Sequence, residues 1–132
     1  MDIAKIASEV LNLEADELRR QASLVGSEFQ KAVNLIYSCK GKLIVTGVGK
    51  SGHIGAKIAA TLASTGTPSF FIHPTEAMHG DLGMIVSDDA VLAISYSGES
   101  AELLAILPHI KRRDIKIISI SKSGSSLANL SD

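Results

Sequence analysis

Two short stretches of the chain combine groups that can hold an anion with side chains that can move a proton. The first, Gly47-Val48-Gly49-Lys50-Ser51-Gly52, follows a β-branched apolar run and opens an alanine-rich helical pattern. Its backbone N–H groups and the helix dipole can therefore face negative charge, and glycine permits close approach, so Gly49 and Ser51 are candidate ligand contacts. The second, Ser95-Tyr96-Ser97-Gly98-Glu99-Ser100, stands in the same position after a later strand and offers three hydroxyls ahead of another helical pattern. A lone serine there commonly caps the helix, but three exceed what one cap needs. If the two strands are neighbours, the turns converge and suit a phosphate monoester. Lys50, His79, Glu99 and Glu102 surround that point. Moving a proton between adjacent carbons needs a general base tuned near neutrality. Glu102, in the first turn of its helix, is the better candidate, because Glu99 lies inside the anion turn and its charge would oppose a phosphate. The structural alternative for Glu102 is an acid that favours a helix N-terminus. Lys50 is placed to stabilise developing oxyanion charge.

Other chemistries fit less well. The first turn spells GxGxxG, yet the second strand ends at His73-Pro74 with no carboxylate for a ribose, which argues against a dinucleotide. A nucleotide P-loop needs a glycine where Ile44 stands in mid-strand. His53 reads as an ordinary surface or core histidine. His73 and His79 flank the connection after the second strand, and without a fixed carboxylate partner they make a weak metal site. Cys39 is the single cysteine, so no intrachain disulfide or cysteine zinc cluster can form. Thirteen basic against fourteen acidic residues leave a net charge of −1, which provides no field for nucleic acid or an anionic membrane. Asp2, Lys5 and Glu9 interrupt the apolar residues at the N-terminus, so a signal peptide or membrane span is not expected and the protein reads as cytoplasmic.

The elements that must position these residues follow from periodicity. Residues 2–39 carry apolar positions at steps of three and four and predict two helices or one bent helix. Residues 42–46, 69–72, 90–94 and 115–120 read as strands; residues 52–64 and 101–113 read as helices, with Pro108 a potential kink. Residues 76–84 form a short helix or loop, and the chain closes on a serine-rich turn with the start of another helix. Strands that are continuous apolar runs alternating with helices call for a parallel sheet covered on both faces. The expected fold is a doubly wound α/β sheet preceded by N-terminal helices. A ligand would sit beyond the carboxyl ends of the strands where their order reverses, between the first and third strands. At 132 residues and 45% hydrophobic, the chain can bury one core.

From Gly41 to Ser121 the sequence resembles the sugar isomerase (SIS) domain of arabinose-5-phosphate isomerases, most closely at GKLIVTGVGKSGHIGAKIAATLASTGTPSFFIHPTEAMHGDLGMI and AISYSGESAELL. The resemblance implies a flavodoxin-like SIS domain over residues 41–132, incomplete after the fourth strand, behind a helical segment over residues 1–40. It implies interconversion of D-arabinose 5-phosphate and D-ribulose 5-phosphate through an enediol, without a required cofactor, for 3-deoxy-D-manno-octulosonate synthesis toward lipopolysaccharide or capsule. Lys50 and Glu102 match catalytically relevant positions, and His79 joins them as a catalytic and substrate-contacting candidate. Gly66 and Thr67 match substrate-contacting positions, and Ser51, Ser95, Ser97 and Ser100 match phosphate-binding hydroxyls. His73 matches a position that can hold an inhibitory zinc ion. Family members continue beyond the equivalent of Asp132 with another catalytic glutamate, a histidine and commonly a paired CBS module. SIS domains also pair through helices, so a homo-oligomer is expected. The competing reading is a sugar-phosphate sensor, which needs the serines but not the acid and base; Lys50, His79 and Glu102 together favour the isomerase. A scaffold role, which uses neither turn, ranks last.

Overall fold

A computed structural model describes all 132 residues, in two compact units, Met1–Val33 and Asn34–Asp132. The N-terminal stretch forms two helices, α1 (Ile3–Leu24) and α2 (Ser27–Ser38), the second of which crosses the boundary between the units. Asp2 caps α1 by accepting from the Lys5 N–H at 3.0 Å. Val25, in an extended conformation, ends α1, so the two-helix alternative holds. α1 buries none of its side chains, and no helix of the chain is long and apolar enough to cross a membrane.

The larger unit alternates strands and helices as their apolar patterns require: β1 (Leu43–Gly47), α3 (Gly49–Ser64), β2 (Ser69–Ile72), α4 (Pro74–Met78), β3 (Ala90–Ser95), α5 (Ala101–Lys111), β4 (Lys116–Ser121) and α6 (Ser126–Leu130). A 3₁₀ turn at Asp81–Met84 follows α4, resolving the stretch that the sequence left between helix and loop. α3 begins three residues before the expected start because Gly49, at φ 59°, turns the chain directly from β1 into the helix. α5 runs through Pro108 to Lys111.

The four strands form one parallel sheet in the order β2-β1-β3-β4. β1 and β3 are neighbours, paired from Leu43 with Ala90 to Gly47 with Ile94, so the strand order reverses where the sequence places the ligand. Side chains alternate between the faces. On one face Ile44, Ile72, Val91, Ala93 and Ile117 pack against Ala77 of α4, Leu103, Ile106, Leu107 and Ile110 of α5, and Leu127 of α6. α3 covers the other face so closely that a Cβ on Gly55 would lie 3.2 Å from both Val45 and Phe71. Burying each large aliphatic in this core stabilises the unit by about 1.5–3 kcal/mol, which fixes the strand ends that carry the turns.

At the opposite, amino end of the sheet, Asp89 clamps the approach to β1. Its fully buried carboxylate accepts from the Lys42 N–H at 2.7 Å and the Val86 N–H at 2.9 Å, and pairs with the Lys42 ammonium at 3.1 Å. Burial pushes this carboxyl upward, but those donors and the ammonium outweigh it and hold the group below the ordinary aspartate value.

Candidate functional site

The turns after β1 and β3 leave adjacent strands from one edge of the sheet, and each runs into a helix whose N-terminus receives no side-chain cap. In this α3 and α5 differ from α1, capped by Asp2, from α4, capped by the His73 ring, and from α6, capped by Ser125. The first backbone N–H groups of a helix have no intrahelical partner and carry the positive end of its dipole. Two such ends, contributed by neighbouring strands, place unclaimed donors on one side of the sheet. The glycines make the approach possible. A Cβ on Gly47 would lie 2.9 Å from the Ile94 carbonyl oxygen and 3.2 Å from the Ser51 backbone.

The hydroxyls of the second turn have a specific arrangement. Ser95 is buried, and its Oγ accepts from the Gly98 N–H at 3.1 Å; Ser97 Oγ accepts from the Glu99 N–H at 3.2 Å. A hydroxyl that accepts retains its own proton to donate. Both serines therefore shape the turn through their oxygens and keep an O–H for an anion. Ser100 differs: it stands at the N-cap position of α5, but its hydroxyl donates to Glu102 Oε2 at 3.2 Å instead of capping the helix. That bond orients the exposed Glu102 carboxylate in the first turn of α5.

Glu99 does not leave its charge on the anion turn. Its carboxylate accepts from the Ser126 N–H at 2.8 Å, and that backbone donor holds the acid below its ordinary range. Sequence reading gave the serine-rich turn after the fourth strand but not its contact with Glu99. The Lys122 N–H donates to the Tyr96 carbonyl at 3.1 Å and the Leu127 N–H to the Gly98 carbonyl at 3.0 Å, so the turn after β4 braces the turn after β3. Ser125, buried between them, accepts from the Ala128 N–H and donates to Ser121 Oγ. The serine-rich composition of residues 121–126 was the one signal of it, but the pairing spans 27 residues and follows only from the order of β3 and β4.

Lys50 is the second residue of α3; it is exposed and takes part in none of the chain's ion pairs. Gly49 and Ser51 flank it in the same helical turn. His73 follows β2 at the carboxyl edge of the sheet, and His79 ends α4 on the protein surface. Gly66 and Thr67 lie at the other edge of the sheet. They precede β2 and so lie at the amino end of a parallel strand, whereas the two anion turns leave the carboxyl ends. The structure does not bring them to the edge that holds Lys50, Ser97 and Glu102 within one chain. The motif match could not reveal this, because their place in the sheet follows from the parallel strand direction.

His53 is exposed on α3. His73 Nδ1 accepts from the Thr75 N–H at 3.2 Å, and no group of three His, Cys, Asp or Glu side chains in the chain could hold a metal ion. The residues present do not complete a zinc site.

Residues 35–132 match the family model of the SIS domain. The chain is 51% identical over 126 residues to the arabinose 5-phosphate isomerase KdsD of Pseudomonas aeruginosa, covering 96% of this chain and 39% of that protein. It is 52% identical over 118 residues to the arabinose 5-phosphate isomerase GutQ of Escherichia coli K12, covering 89% of this chain and 37% of that protein. It thus spans about two fifths of the curated relatives it matches. Among solved structures, an E. coli CFT073 protein in complex with arabinose 5-phosphate superposes with a TM-score of 0.86 at 46% identity, over 100% of this chain and 72% of that one.

Proposed function

Because the chain belongs to the SIS domain family, we propose that its β1 and β3 turns bind the phosphate of D-arabinose 5-phosphate or D-ribulose 5-phosphate, and that the protein interconverts the two. The observation that carries this reading is the pair of helix N-termini without side-chain caps at the switch point, beside serines whose hydroxyl protons remain available. The names of the relatives, and the arabinose 5-phosphate bound to the E. coli CFT073 protein, support the choice of pentose phosphate.

In the proposed reaction Glu102 takes the proton from C2 of the open-chain aldose, leaving an enediolate, and returns it to C1, while the hydroxyl proton on O2 passes to O1 so that the carbonyl moves from C1 to C2. Lys50 stabilises the negative charge that develops on oxygen, and His79 serves at the same site. No net redox change occurs and no cofactor is required. Ser51 and Ser97 donate to the phosphate, as does the Ser95 hydroxyl from within the turn. The family resemblance supports, as further parts of this proposal, a cytoplasmic homo-oligomer that serves 3-deoxy-D-manno-octulosonate synthesis.

The test uses the longest chain the gene encodes. Glu102→Gln retains the shape and removes the base, so ligand affinity is expected to survive while turnover falls by about two to four powers of ten. A Glu102→Gln protein that still exchanges the substrate C2 proton with solvent at the parent rate contradicts the assignment of the base. A parent protein that binds the sugar phosphate but never exchanges that proton is a sensor instead.

A further inference from the structure

The turn after β4 repeats the turn after β3. Ser121-Lys122-Ser123-Gly124-Ser125-Ser126 and Ser95-Tyr96-Ser97-Gly98-Glu99-Ser100 share the pattern Ser-x-Ser-Gly-x-Ser. The leading serines, Ser95 and Ser121, are paired in register on adjacent strands, and the glycines share a left-handed conformation, with φ 71° at Gly98 and 74° at Gly124. Serines and a glycine serve the turn itself. The residue after the leading serine does not, and there the copies differ: Tyr96 in one, Lys122 in the other.

Most cations of the unit Asn34–Asp132 are engaged: Lys42 with Asp89, Lys57 with Thr61, Lys111 with the Leu130 carbonyl, Arg112 with His109, Arg113 with the Leu82 and Ile85 carbonyls, and Lys116 with Asp132. Lys122 is exposed and takes part in none of the chain's ion pairs. The carboxylate that reaches its turn does not neutralise it, because Glu99 accepts from the Ser126 N–H instead. Lys50 is the other unpaired cation at the carboxyl end of the sheet. One follows β1 and the other β4, the strands on either side of β3, so the Ser97 turn has a free ammonium in the turn on each side, roughly 4.8 Å away in strand spacing. The Lys122 N–H, donating to the Tyr96 carbonyl at 3.1 Å, fixes the backbone of Lys122 against that turn.

We propose that the turn after β4 is a third arm of the sugar-phosphate site and that Lys122 is its phosphate-binding cation. This rests on the function proposed above and deepens it. A phosphate monoester carries about 1.5 to 2 negative charges near neutrality. With Lys50 assigned to the charge that develops on the sugar oxygens, the phosphate otherwise meets hydroxyls and backbone donors but no cation. The Lys122 ammonium closes on it from the β4 side. The contribution is the side chain's and not that of α6, whose start is already capped by Ser125.

The experiment compares parent, Lys122→Met and Lys122→Arg in the longest chain the gene encodes, by calorimetry with D-arabinose 5-phosphate, by competition with inorganic phosphate, and by turnover. Lys122→Met is expected to bind both ligands about five- to thirtyfold more weakly at low salt, the range for a charge-assisted hydrogen bond near the surface, and the difference is expected to narrow at high salt. Its kcat is expected to stay within about threefold of the parent, since the contact is equal in ground and transition states. Its melt without ligand is expected to stay within about 1 °C, because the charge has no partner in the free fold. Lys122→Arg keeps the charge and is expected to recover affinity to within about threefold. Equal affinity of parent and Lys122→Met overturns the proposal while leaving the sugar-phosphate reading intact. So does weaker binding of the sugar phosphate without weaker binding of inorganic phosphate, since the cation would then meet the sugar. A melt lowered by several degrees in Lys122→Met overturns it too, because the side chain would then be structural. A parent that binds neither ligand defeats the sugar-phosphate reading and this proposal with it.

Discussion

Gly98→Ala tests whether the bracing of the anion turn is what holds the site. Gly98 has φ 71°, and a Cβ there would lie 2.0 Å from Ser125 Oγ and 2.4 Å from Ser125 Cβ. Two effects add. A left-handed conformation costs alanine about 1 kcal/mol relative to glycine. Forcing a methyl group into a filled space costs a further 1–3 kcal/mol or so, because the atoms it meets belong to a short, buried side chain that cannot swing away. If Ser125 is displaced, its cap on the Ala128 N–H is lost as well, at about 1 kcal/mol. The sum, about 3–5 kcal/mol, is a large share of the 5–15 kcal/mol or so that a domain typically has. Gly124→Ala provides the internal control: φ is 74°, but nothing lies within 4 Å of its Cβ, so only the conformational part of about 1 kcal/mol should appear. The assay is urea denaturation of both variants followed by circular dichroism, with sugar-phosphate affinity measured on the folded fraction. Equal losses for the two variants would refute the argument from the Ser125 contact.

Ser97→Ala is expected to weaken sugar-phosphate binding by about 1–3 kcal/mol, read by calorimetry, with a smaller effect on the chemical step in a turnover assay. Asp89 predicts acid sensitivity: its carboxyl is depressed in the folded state relative to about 3.9 when unfolded. Its stabilisation is therefore complete above that value and is lost as pH falls through the folded one. Melts between pH 7 and pH 2 should show a component of this loss that is absent in Asp89→Asn; identical profiles would contradict it. α1 leaves Ile3, Ile6, Val10 and Leu13 exposed at helical spacing, so light scattering is expected to report a dimer or larger assembly, and a monomer at micromolar concentration would count against the oligomer proposal.

The sheet was legible in the sequence because its strands are continuous apolar runs with clear punctuation. Pro74 marks the end of β2, and the glycines from Gly47 mark the end of β1. The neighbouring of β1 and β3 followed from the doubly wound pattern and placed both turns at the switch point. What the sequence concealed depends on contacts between distant residues. Glu99 looked like a charge on the anion turn, but its partner is a backbone N–H in the turn after β4. Ser100 read as a phosphate-binding hydroxyl by resemblance, and its hydroxyl turns to Glu102 at the start of α5. Gly66 and Thr67 are assigned by resemblance, and strand direction, which the motif does not carry, sets them at the amino end of β2 within one chain. Thr46 read as one more β-branched strand residue, and only burial exposed its unmatched hydroxyl.

The central claim is that the turns after β1 and β3 together form one sugar-phosphate site, and titration of the isotope-labelled chain with D-arabinose 5-phosphate, followed by amide resonances, tests it most directly. Saturable shifts are expected together at Gly49, Lys50 and Ser51 and at Ser97, Ala101 and Glu102, the donors of the two uncapped helix starts and the turn between them. Shifts confined to one turn, centred on the Asp89 end of the sheet, or absent at saturating ligand would contradict the account.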